Sequence, residues 1–429
     1  MIKELLSFIR KSPVSFFAVE NVRQRLEGEG YVELPSSEWE LVPGGRYYMT
    51  RNGSSLIAFR IPQTDPKGFV ISASHSDSPC LRIRDHAELD GPYIRLESER
   101  YGGMINASWV DRPLSIAGRV LIRSGNGLKT CLVDLKDDCA LIPNLAIHMQ
   151  RGMNDSLKYD PAKDLVALYG EKESAGSFQE EIARAAGTEK ENIVSTDLYL
   201  YCNQPGTVWG PNGEFASSPR LDDLGCVFTC LEGFLAARDT DRIPVLCVFD
   251  NEEIGSGTKQ GAMSTFLKDV LYRICICRRA SAEDYHMAVA KSFMVSCDNA
   301  QAVHPNHPEK YDQNNAPQMN KGIVIKESAS QKYMTDAFSR GVFKILCDKA
   351  GVQYQTFSNR SDMPGGSTLG NISSAQVSLN GVDVGLPQIA MHSAYETAGA
   401  RDNADAVKVF ETYYRSRINI EGPDKVEIE

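Results

Sequence analysis

The sequence predicts an α/β fold into which a β-rich domain is inserted. Short apolar runs, rich in β-branched residues, end in acidic residues or histidines, which is typical of buried strands with polar carboxyl ends. Between residues 84 and 217 these runs become shorter, alternate in polarity and are separated by turns. The length of 429 residues also exceeds what one ordinary core accommodates. We therefore expect one domain from 1–83 and 218–429, and an inserted domain from 84–217.

The composition narrows the classes of partner. The chain is 42% hydrophobic and 24% charged, as expected for a globular protein. Its net charge of -10 argues against nucleic acid or an anionic membrane as a partner. The 11 cysteines contain no Cys-x-x-Cys pattern and several lie in apolar runs, which favours reduced thiols and a cytoplasmic protein. Charged residues interrupt the N-terminal apolar residues, so neither a signal peptide nor a membrane span is predicted.

The first part of the chain is expected to form two helices within residues 1–30 and then strands. The runs with strand composition are 46–51, 54–61 and 68–74. Asn52-Gly53 joins the first two runs as a two-residue hairpin turn. His75 and Asp77 follow the third run. They could act as a metal ligand and the residue that orients its ring, but a serine-rich surface turn explains them equally well.

Within the inserted domain the expected strands are short. They cover 93–97, 119–123, 128–133 and 198–201. Ser177 and Glu180 form a capping-box pattern that predicts a helix. His148 also lies in this domain, and by its spacing alone it is more typical of a structural histidine than of a ligand.

The segment after the insertion predicts an amphipathic helix that begins with two aspartates. Apolar residues from Leu224 to Leu235 recur at three- and four-residue spacings. Asp222 and Asp223 stand at its start, where the helix dipole favours negative charge in any case. A functional interpretation is also open, because the two oxygens of one carboxylate can bridge two cations.

The stretch 244–255 carries the sharpest chemical signal. An apolar strand, Pro244–Phe249, ends at Asp250-Asn251, and Glu252 and Glu253 follow. Ligands of open α/β sheets bind beyond the carboxyl ends of the strands. One glutamate can bind a metal while the other takes a proton from a metal-bound water. Taken alone, the segment is more typical of a solvated acidic loop.

Residues at or after the ends of other apolar runs are further candidates for the site. A buried run ends at Asp298, His304 follows shortly after, and Lys326 closes another strand. His392 follows an apolar run near the C-terminus. The glycine-rich loop 362–370 lacks a phosphate-loop lysine, so we predict no nucleotide site.

Together, these ends supply five candidate metal ligands and one candidate base. The ligands are His75, Asp222, Glu253, Asp298 and His392, and the base is Glu252. Two divalent cations about 3.5–4 Å apart that share one carboxylate would each have three protein ligands. Imidazole and carboxylate ligands suit Zn²⁺ and also Mn²⁺ or Co²⁺.

With these motifs in place, the chain resembles the aspartyl aminopeptidase family of dinuclear zinc metallopeptidases, as a bacterial-type member. The matching motifs run through nearly the whole chain: Ser74–Pro79, Tyr101–Gly103, Asp111-Arg112, Asn144–His148, Arg220–Leu224, Asp250–Ser256, Ala302–Asn306, Lys321–Lys326, Gly366–Gly370 and Met391–Ser393. Asp223 departs from the pattern, which more often has asparagine, and Met104 lies in a run that is usually richer in glycine.

The resemblance implies a mixed-sheet, zinc-exopeptidase-like catalytic domain and an oligomerisation role for the inserted domain. It implies a homo-oligomer, in the form of a tetrahedral dodecamer, and two divalent ions per subunit, with zinc the first expectation. His75 and Asp298 would bind one ion, Glu253 and His392 the other, and Asp222 both. Asp77 would steady His75.

The resemblance also implies roles outside the ligand set. His148 of a neighbouring subunit would stabilise the tetrahedral intermediate, and an extra ligand role for it is a secondary expectation. Lys326 and His304 would face the substrate, where the lysine could pair with an acidic side chain. The alternative for Lys326 is an ordinary strand-edge lysine.

The expected activity is release of single N-terminal residues from peptides, with Asp or Glu preferred and Glu252 activating the attacking water. Two alternatives stay open. One is a broad-specificity neutral aminopeptidase of the same dinuclear class. The other is a non-catalytic shell or cargo-binding oligomer that keeps the fold.

Overall fold

A computed structural model of the chain describes residues 1–238, 241–422 and 425–429. Its α-helices are α1 (Ile2–Lys11), α2 (Ser15–Gly28), α3 (Pro161–Asp164), α4 (Ser177–Ala185), α5 (Leu221–Ala236), α6 (Phe266–Cys277), α7 (Ala282–Ala290), α8 (Ala337–Ala350), α9 (Leu369–Ser374) and α10 (Asp402–Arg415). Across these described ranges, no helix is both long enough and apolar enough to cross a bilayer.

The strands are β1 (Val32–Glu33), β2 (Arg46–Arg51), β3 (Ser55–Arg60), β4 (Phe69–His75), β5 (Cys80–Leu89), β6 (Tyr93–Tyr101), β7 (Leu114–Ser124), β8 (Gly127–Asp134), β9 (Ala167–Glu171), β10 (Ile193–Cys202), β11 (Thr207–Trp209), β12 (Phe215–Ser218), β13 (Ile243–Phe249), β14 (Phe293–Cys297), β15 (Ala300–Gln301), β16 (Ile323–Lys326), β17 (Tyr354–Phe357), β18 (Asn380–Gly385), β19 (Pro387–Ile389), β20 (Glu396–Gly399), β21 (Ile418–Ile420) and β22 (Val426–Ile428).

The largest sheet is mixed, which confirms the predicted fold class. Its strand order is β1-β2-β3-β13-β4-β14-β18-β16-β17. The central strands β13, β4, β14 and β18 are parallel to one another, whereas β3 and β16 run antiparallel to their inner neighbours. The predicted hairpin is also confirmed, because β2 and β3 are antiparallel, but Arg51 pairs with Ser55, so the turn includes Ser54 in addition to Asn52 and Gly53.

Helices cover both faces of this sheet, and β13 shows why its sequence is apolar throughout. Leu246 and Val248 enter the core formed with α1, α2, α5, α8 and α10. The alternate residues Val245, Cys247 and Phe249 enter the core formed with α6, α7 and α9. A strand that is buried on both faces has no position for a polar residue until it ends.

A second sheet is antiparallel, with strand order β8-β7-β10-β5-β6-β9. Its strands are longer than the sequence predicted: β7 spans Leu114–Ser124 and β10 spans Ile193–Cys202.

The capping-box prediction at Ser177 is wrong. The N-cap of α4 is Gly176, and Glu88 of β5 accepts the N–H groups of Gly176 and Phe178 instead, at 2.6 and 3.0 Å. A side chain distant in sequence thus replaces the local cap.

A third sheet joins residues 207–218 to the C-terminal part of the chain. Its strand order is β11-β12-β20-β19-β15, and β12 leads directly into α5. The strands of the second sheet all lie between Cys80 and Cys202, and this third sheet begins at Thr207. The division into domains at 84 and 217 stays a prediction.

Candidate metal centre

Three neighbouring strand ends place four of the predicted site residues at one edge of the largest sheet. β4 lies between β13 and β14 and is parallel to both. His75 is the last residue of β4, and Asp298 directly follows β14. Glu252 and Glu253 follow β13 after a two-residue turn. Because carboxyl ends of parallel strands meet at one edge, residues more than 170 positions apart become neighbours.

The other two predicted ligands come from the third sheet. Asp222 lies at the start of α5 with non-helical φ and ψ of -83° and 110°, and a cis peptide bond joins it to Asp223. His392 lies in the turn between β19 and β20. Glu396, the first residue of β20, accepts the N–H of Asp222 at 3.0 Å and the N–H of His392 at 2.8 Å. One buried carboxylate therefore fixes both backbones.

The predicted ligands form two groups that share Asp222. In the first group, His75 Nε2 lies 3.5 Å from Asp222 Oδ1 and 3.6 Å from Asp298 Oδ1. In the second group, His392 Nε2 lies 3.6 Å from Asp222 Oδ2 and 3.3 Å from Glu253 Oε2. The two oxygens of Asp222 thus face different histidines.

The outer nitrogens of both imidazoles are held by backbone carbonyls. His75 Nδ1 donates to the carbonyl of Asp77 at 3.1 Å, and His392 Nδ1 donates to the carbonyl of Gly103 at 2.9 Å. A carbonyl only accepts, so in the neutral form of each ring these contacts place the hydrogen on Nδ1 and leave Nε2 available as a metal ligand. This is the arrangement by which proteins orient metal-binding histidines.

The spacing of the donor atoms fits metal ions better than hydrogen bonds. Nitrogen–oxygen distances of 3.3–3.6 Å are long for hydrogen bonds. Two ligand atoms about 2.1 Å from one tetrahedral ion stand about 3.4 Å apart. In addition, Asp222 Oδ1, Asp223 Oδ1 and Glu253 Oε1 are buried without a hydrogen-bond partner. Buried carboxylate oxygens without a partner are costly unless a cation satisfies them.

The pKa values of the buried carboxylates also favour bound cations at this site. Burial raises the pKa of Glu252 to about 8; His75 lowers it, while Asp298, Asp77 and Asp222 raise it. Burial and then Asp222 raise the pKa of Glu253 well above its ordinary value. Burial would also raise the pKa of Asp298, but Lys326 and His75 outweigh it and lower that pKa. So many buried carboxylates repel one another, and cations would relieve the repulsion.

Asp77 organises the loop that carries the two glutamates. Its Oδ1 accepts the N–H of Glu252 and its Oδ2 accepts the N–H of Glu253, both at 3.1 Å. Its Oδ1 also lies 3.4 Å from His75 Nδ1. The N-cap of this short turn, Asn251, has a φ of +63°, in the left-handed region that asparagine adopts more readily than most other non-glycine residues.

A cavity of about 160 Å³ opens beside the first ligand group. Its lining comprises His75, Asp222, Glu252, Asp298, Asn299, Ala300, Gln301, Lys326, Tyr333, Phe357, Asn359, Gly366, Ser367, Met391 and His392. Glu252 therefore borders the space that a substrate could enter, together with ligands from both groups.

Lys326 lines this cavity, but its ammonium group is already paired. Nζ lies 3.3 Å from Asp298 Oδ2 and donates to the carbonyl of Asn299 at 3.0 Å. Burial would lower the pKa of Lys326, but the charge of Asp298 raises it above its ordinary value. The side chain is 4% exposed, so it differs from an ordinary strand-edge lysine.

The structure places His304 and His148 away from the ligand groups. His304 Nδ1 accepts the N–H of Asn306 at 3.2 Å, and its ring lies 5.1 Å from that of His307. His148 lies in an exposed segment between β8 and α3. Within the part of the chain that the structure describes, neither histidine lines the cavity.

Sequence reasoning missed three residues that contact the ligands. Glu396 holds the backbones of Asp222 and His392. Thr368 donates to Asp298 Oδ2 at 2.5 Å, and Asp223 Oδ2 accepts the N–H of His75 at 3.1 Å. For Asp223, the sequence indicated a carboxylate at the start of the helix and a departure from the family pattern, but not its contact with His75. Except for the contact between Glu396 and His392, which are four residues apart, these contacts join residues at least 70 positions apart, so no local spacing predicts them.

Two histidines and three carboxylates at the carboxyl edge of a mixed sheet define a candidate metallohydrolase. A family model described as "Aminopeptidase I zinc metalloprotease (M18)" matches residues 8–414, and the chain belongs to this family. It is accordingly a metalloaminopeptidase, a hydrolase that acts on peptide bonds, and the family resemblance read from the motifs is confirmed. Membership also removes the support for a non-catalytic shell.

Individual relatives cover nearly the full length. A protein of Clostridium novyi (strain NT) named "Probable M18 family aminopeptidase 2" is 43% identical over 422 residues, covering 96% of this chain and 98% of the relative. A chain in a structure titled "Cryo-EM structure of the Ape4 and Nbr1 complex" is 33% identical with a TM-score of 0.94, covering 96% and 85%. A structure titled as the mApe1 dodecamer of S. cerevisiae is 26% identical with a TM-score of 0.84, covering 96% of both chains.

Proposed function

We propose that this protein is a dinuclear aminopeptidase that removes one N-terminal residue at a time and prefers Asp or Glu. The observation that carries the proposal is the position of Asp222, whose two oxygens face His75 and His392 at 3.5 and 3.6 Å. A carboxylate shared between two histidine groups is suited to hold two cations side by side.

The proposed ligands follow from the two groups. His75, Asp298 and Asp222 would hold one ion, and His392, Glu253 and Asp222 the other, with zinc favoured by the mixed nitrogen and oxygen donors. When bound, such ions polarise the scissile carbonyl and make water a better nucleophile at neutral pH. Asp77 keeps the His75 ring and the loop that carries both glutamates in place.

Glu252 is the proposed general base. Its carboxylate lines the cavity and belongs to the same cluster as His75 and Glu253, whose ligand atoms lie within 4.8 Å of one another. It would take a proton from the attacking water and return it to the leaving amine as the peptide bond breaks. Burial raises the pKa of Glu252 to about 8, and a carboxylate with a raised pKa is a stronger proton acceptor.

The preference for acidic residues is supported by the resemblance and by the cation Lys326 in the cavity lining. One observation favours the broad neutral alternative, namely that Asp298 already balances the charge of Lys326. Replacing Lys326 would disturb Asp298 as well, so a Lys326 variant does not separate the two candidates. The role of His304 on the substrate side is proposed from the resemblance alone.

Hydrolysis of matched aspartyl, glutamyl and leucyl chromogenic substrates separates the two candidates. We expect the aspartyl and glutamyl substrates to have the higher kcat/KM, and all activity to disappear after exhaustive chelation and to return with Zn²⁺, Mn²⁺ or Co²⁺. Equal kcat/KM for leucyl and acidic substrates would support the neutral alternative. Activity that survives complete metal removal would contradict both.

We further propose a cytoplasmic homo-oligomer, a tetrahedral dodecamer, in which residues 84–217 form the inserted oligomerisation domain and 1–83 with 218–429 the catalytic domain. Three large apolar residues around His148 are strongly exposed: Leu145 at 58%, Ile147 at 43% and Met149 at 78%. Such a cluster on a monomer marks an interaction site. All 11 cysteines are free thiols, which suits a reducing compartment.

Within that oligomer, His148 would act on the active site of the neighbouring subunit, by stabilising the tetrahedral intermediate or, secondarily, as an extra ligand. We expect His148→Ala and Glu252→Gln each to be inactive alone and activity to return when the two subunits are co-assembled. The His148→Ala subunit keeps its Glu252 and receives a histidine from its neighbour. The measurement is peptide hydrolysis by the purified mixed oligomer, and mixing the two separately assembled oligomers is the control.

Complementation would fail if His148 acted within its own subunit, because every site in the mixed oligomer would then lack one of the two groups. Native mass spectrometry of the same samples reports the number of subunits.

A further inference from the structure

The second sheet reaches the metal centre through the segment that ends β6. Tyr101, the last residue of β6, has its hydroxyl 2.8 Å from Asp77 Oδ2 and 2.7 Å from Asn251 Nδ2. The Asn251 amide is oriented by Thr258 and Gln260, which both donate to its Oδ1 at 2.8 Å. Since Nδ2 of Asn251 can only donate, the hydroxyl hydrogen of Tyr101 is directed at Asp77.

Asp77, held by Tyr101, in turn contacts the residues proposed to bind metal and to move protons. Its two carboxylate oxygens accept the N–H groups of Glu252 and Glu253, and Oδ1 faces His75 Nδ1. One carboxylate therefore orients the base and one ligand from each group. Rotation of that carboxylate would loosen all three residues together.

The next two residues of the same segment contact the second ligand group. A Cβ atom at Gly102 would lie 3.1 Å from the Cβ of Glu253, which is tighter than ordinary contact, so glycine allows this close approach. The φ of Gly102, +82°, also favours glycine at this position. The carbonyl of Gly103 accepts the Nδ1–H of His392 at 2.9 Å. The end of β6 thus supports both ligand groups.

We propose that Tyr101 is a positioning residue of the reaction. Through Tyr101, the second sheet fixes the carboxylate of Asp77, and Asp77 in turn fixes the orientation of His75, Glu252 and Glu253. The inference rests on the proposed function, because it requires metal ions at the two ligand groups. Residues that support metal ligands from behind typically contribute 10–100-fold to metal affinity or activity, and we expect Tyr101 to lie in about that range.

Tyr101→Phe tests the proposal, because it removes the hydroxyl and keeps the ring. The matched control is Tyr199→Phe, since Tyr199 packs edge-to-face on Tyr101 with ring centroids 5.9 Å apart. Both variants are measured as the full oligomer, by competition of Zn²⁺ with a chromogenic chelator and by kcat and KM on an aspartyl substrate. We expect Tyr101→Phe to lower zinc affinity or kcat by about 10–100-fold without raising KM, and Tyr199→Phe to match the wild type.

Wild-type zinc affinity and kcat in Tyr101→Phe would overturn the proposal. Equal losses in both variants would also overturn it, because the effect would then come from packing of the aromatic pair. A wild-type protein that binds zinc without hydrolysing any substrate would refute the proposed function, and the zinc competition would still decide the role of Tyr101.

Discussion

Replacing Glu252 with glutamine is expected to lower kcat by at least about 100-fold while both metal ions stay bound. Glutamine keeps the shape of the side chain, so substrate can still enter the cavity, but the amide cannot accept a proton. KM should change little, because the lost interaction belongs to the chemical step. The Glu252 backbone keeps its hydrogen bond to Asp77, so the loop is not expected to move.

Steady-state kinetics and metal content of Glu252→Gln check this expectation together. Glu283→Gln is a suitable control, because Glu283 is an exposed glutamate on α7. Should Glu252→Gln lose a metal ion, the roles of Glu252 and Glu253 have been exchanged. Near wild-type kcat with full metal occupancy would mean that another group serves as the base.

Replacing Asp222 with asparagine is expected to weaken binding of both metal ions by more than about 100-fold, beyond the usual effect of losing a supporting hydrogen bond. An amide offers one oxygen and one donor nitrogen, so it cannot present an anionic oxygen to both His75 and His392. Activity should be lost with the metals. Asp298→Asn is the informative comparison, because of the two ligand histidines Asp298 faces only His75, so this substitution should affect one ion.

The fold of the Asp222→Asn variant should survive metal removal. Asp222 Oδ1 is buried without a partner among other carboxylates, so removing its charge relieves repulsion. We therefore expect the chelated variant to unfold at a temperature no lower than that of the chelated wild type. A marked fall in that temperature would show that Asp222 supports the fold itself, and equal loss of metal in Asp298→Asn would argue against a shared carboxylate.

The sequence predicted the part of the site that depends on strand ends. His75, Glu253 and Asp298 each follow an apolar run, and the geometry of parallel strands brings such ends together. The amphipathic helix predicted from Leu224 to Leu235 is also observed, within α5, and its apolar residues pack in the core. In these places local pattern and tertiary structure agree.

Other features depend on contacts that no local pattern encodes. Glu396 is four residues from His392, but its role arises only because β20 packs where α5 begins, 174 positions away from Asp222. Lys326 pairs with Asp298, which follows a different strand, and no local pattern predicted that contact.

Anomalous diffraction from crystals of the purified protein tests the central claim most directly. Data recorded above and below the zinc absorption edge give the identity, number and position of the ions in one experiment. We expect two peaks per subunit about 3.5–4 Å apart, with Asp222 between them, His75 and Asp298 at one, and Glu253 and His392 at the other. A single peak, or peaks remote from Asp222 in metal-replete and active protein, would contradict the shared-carboxylate centre.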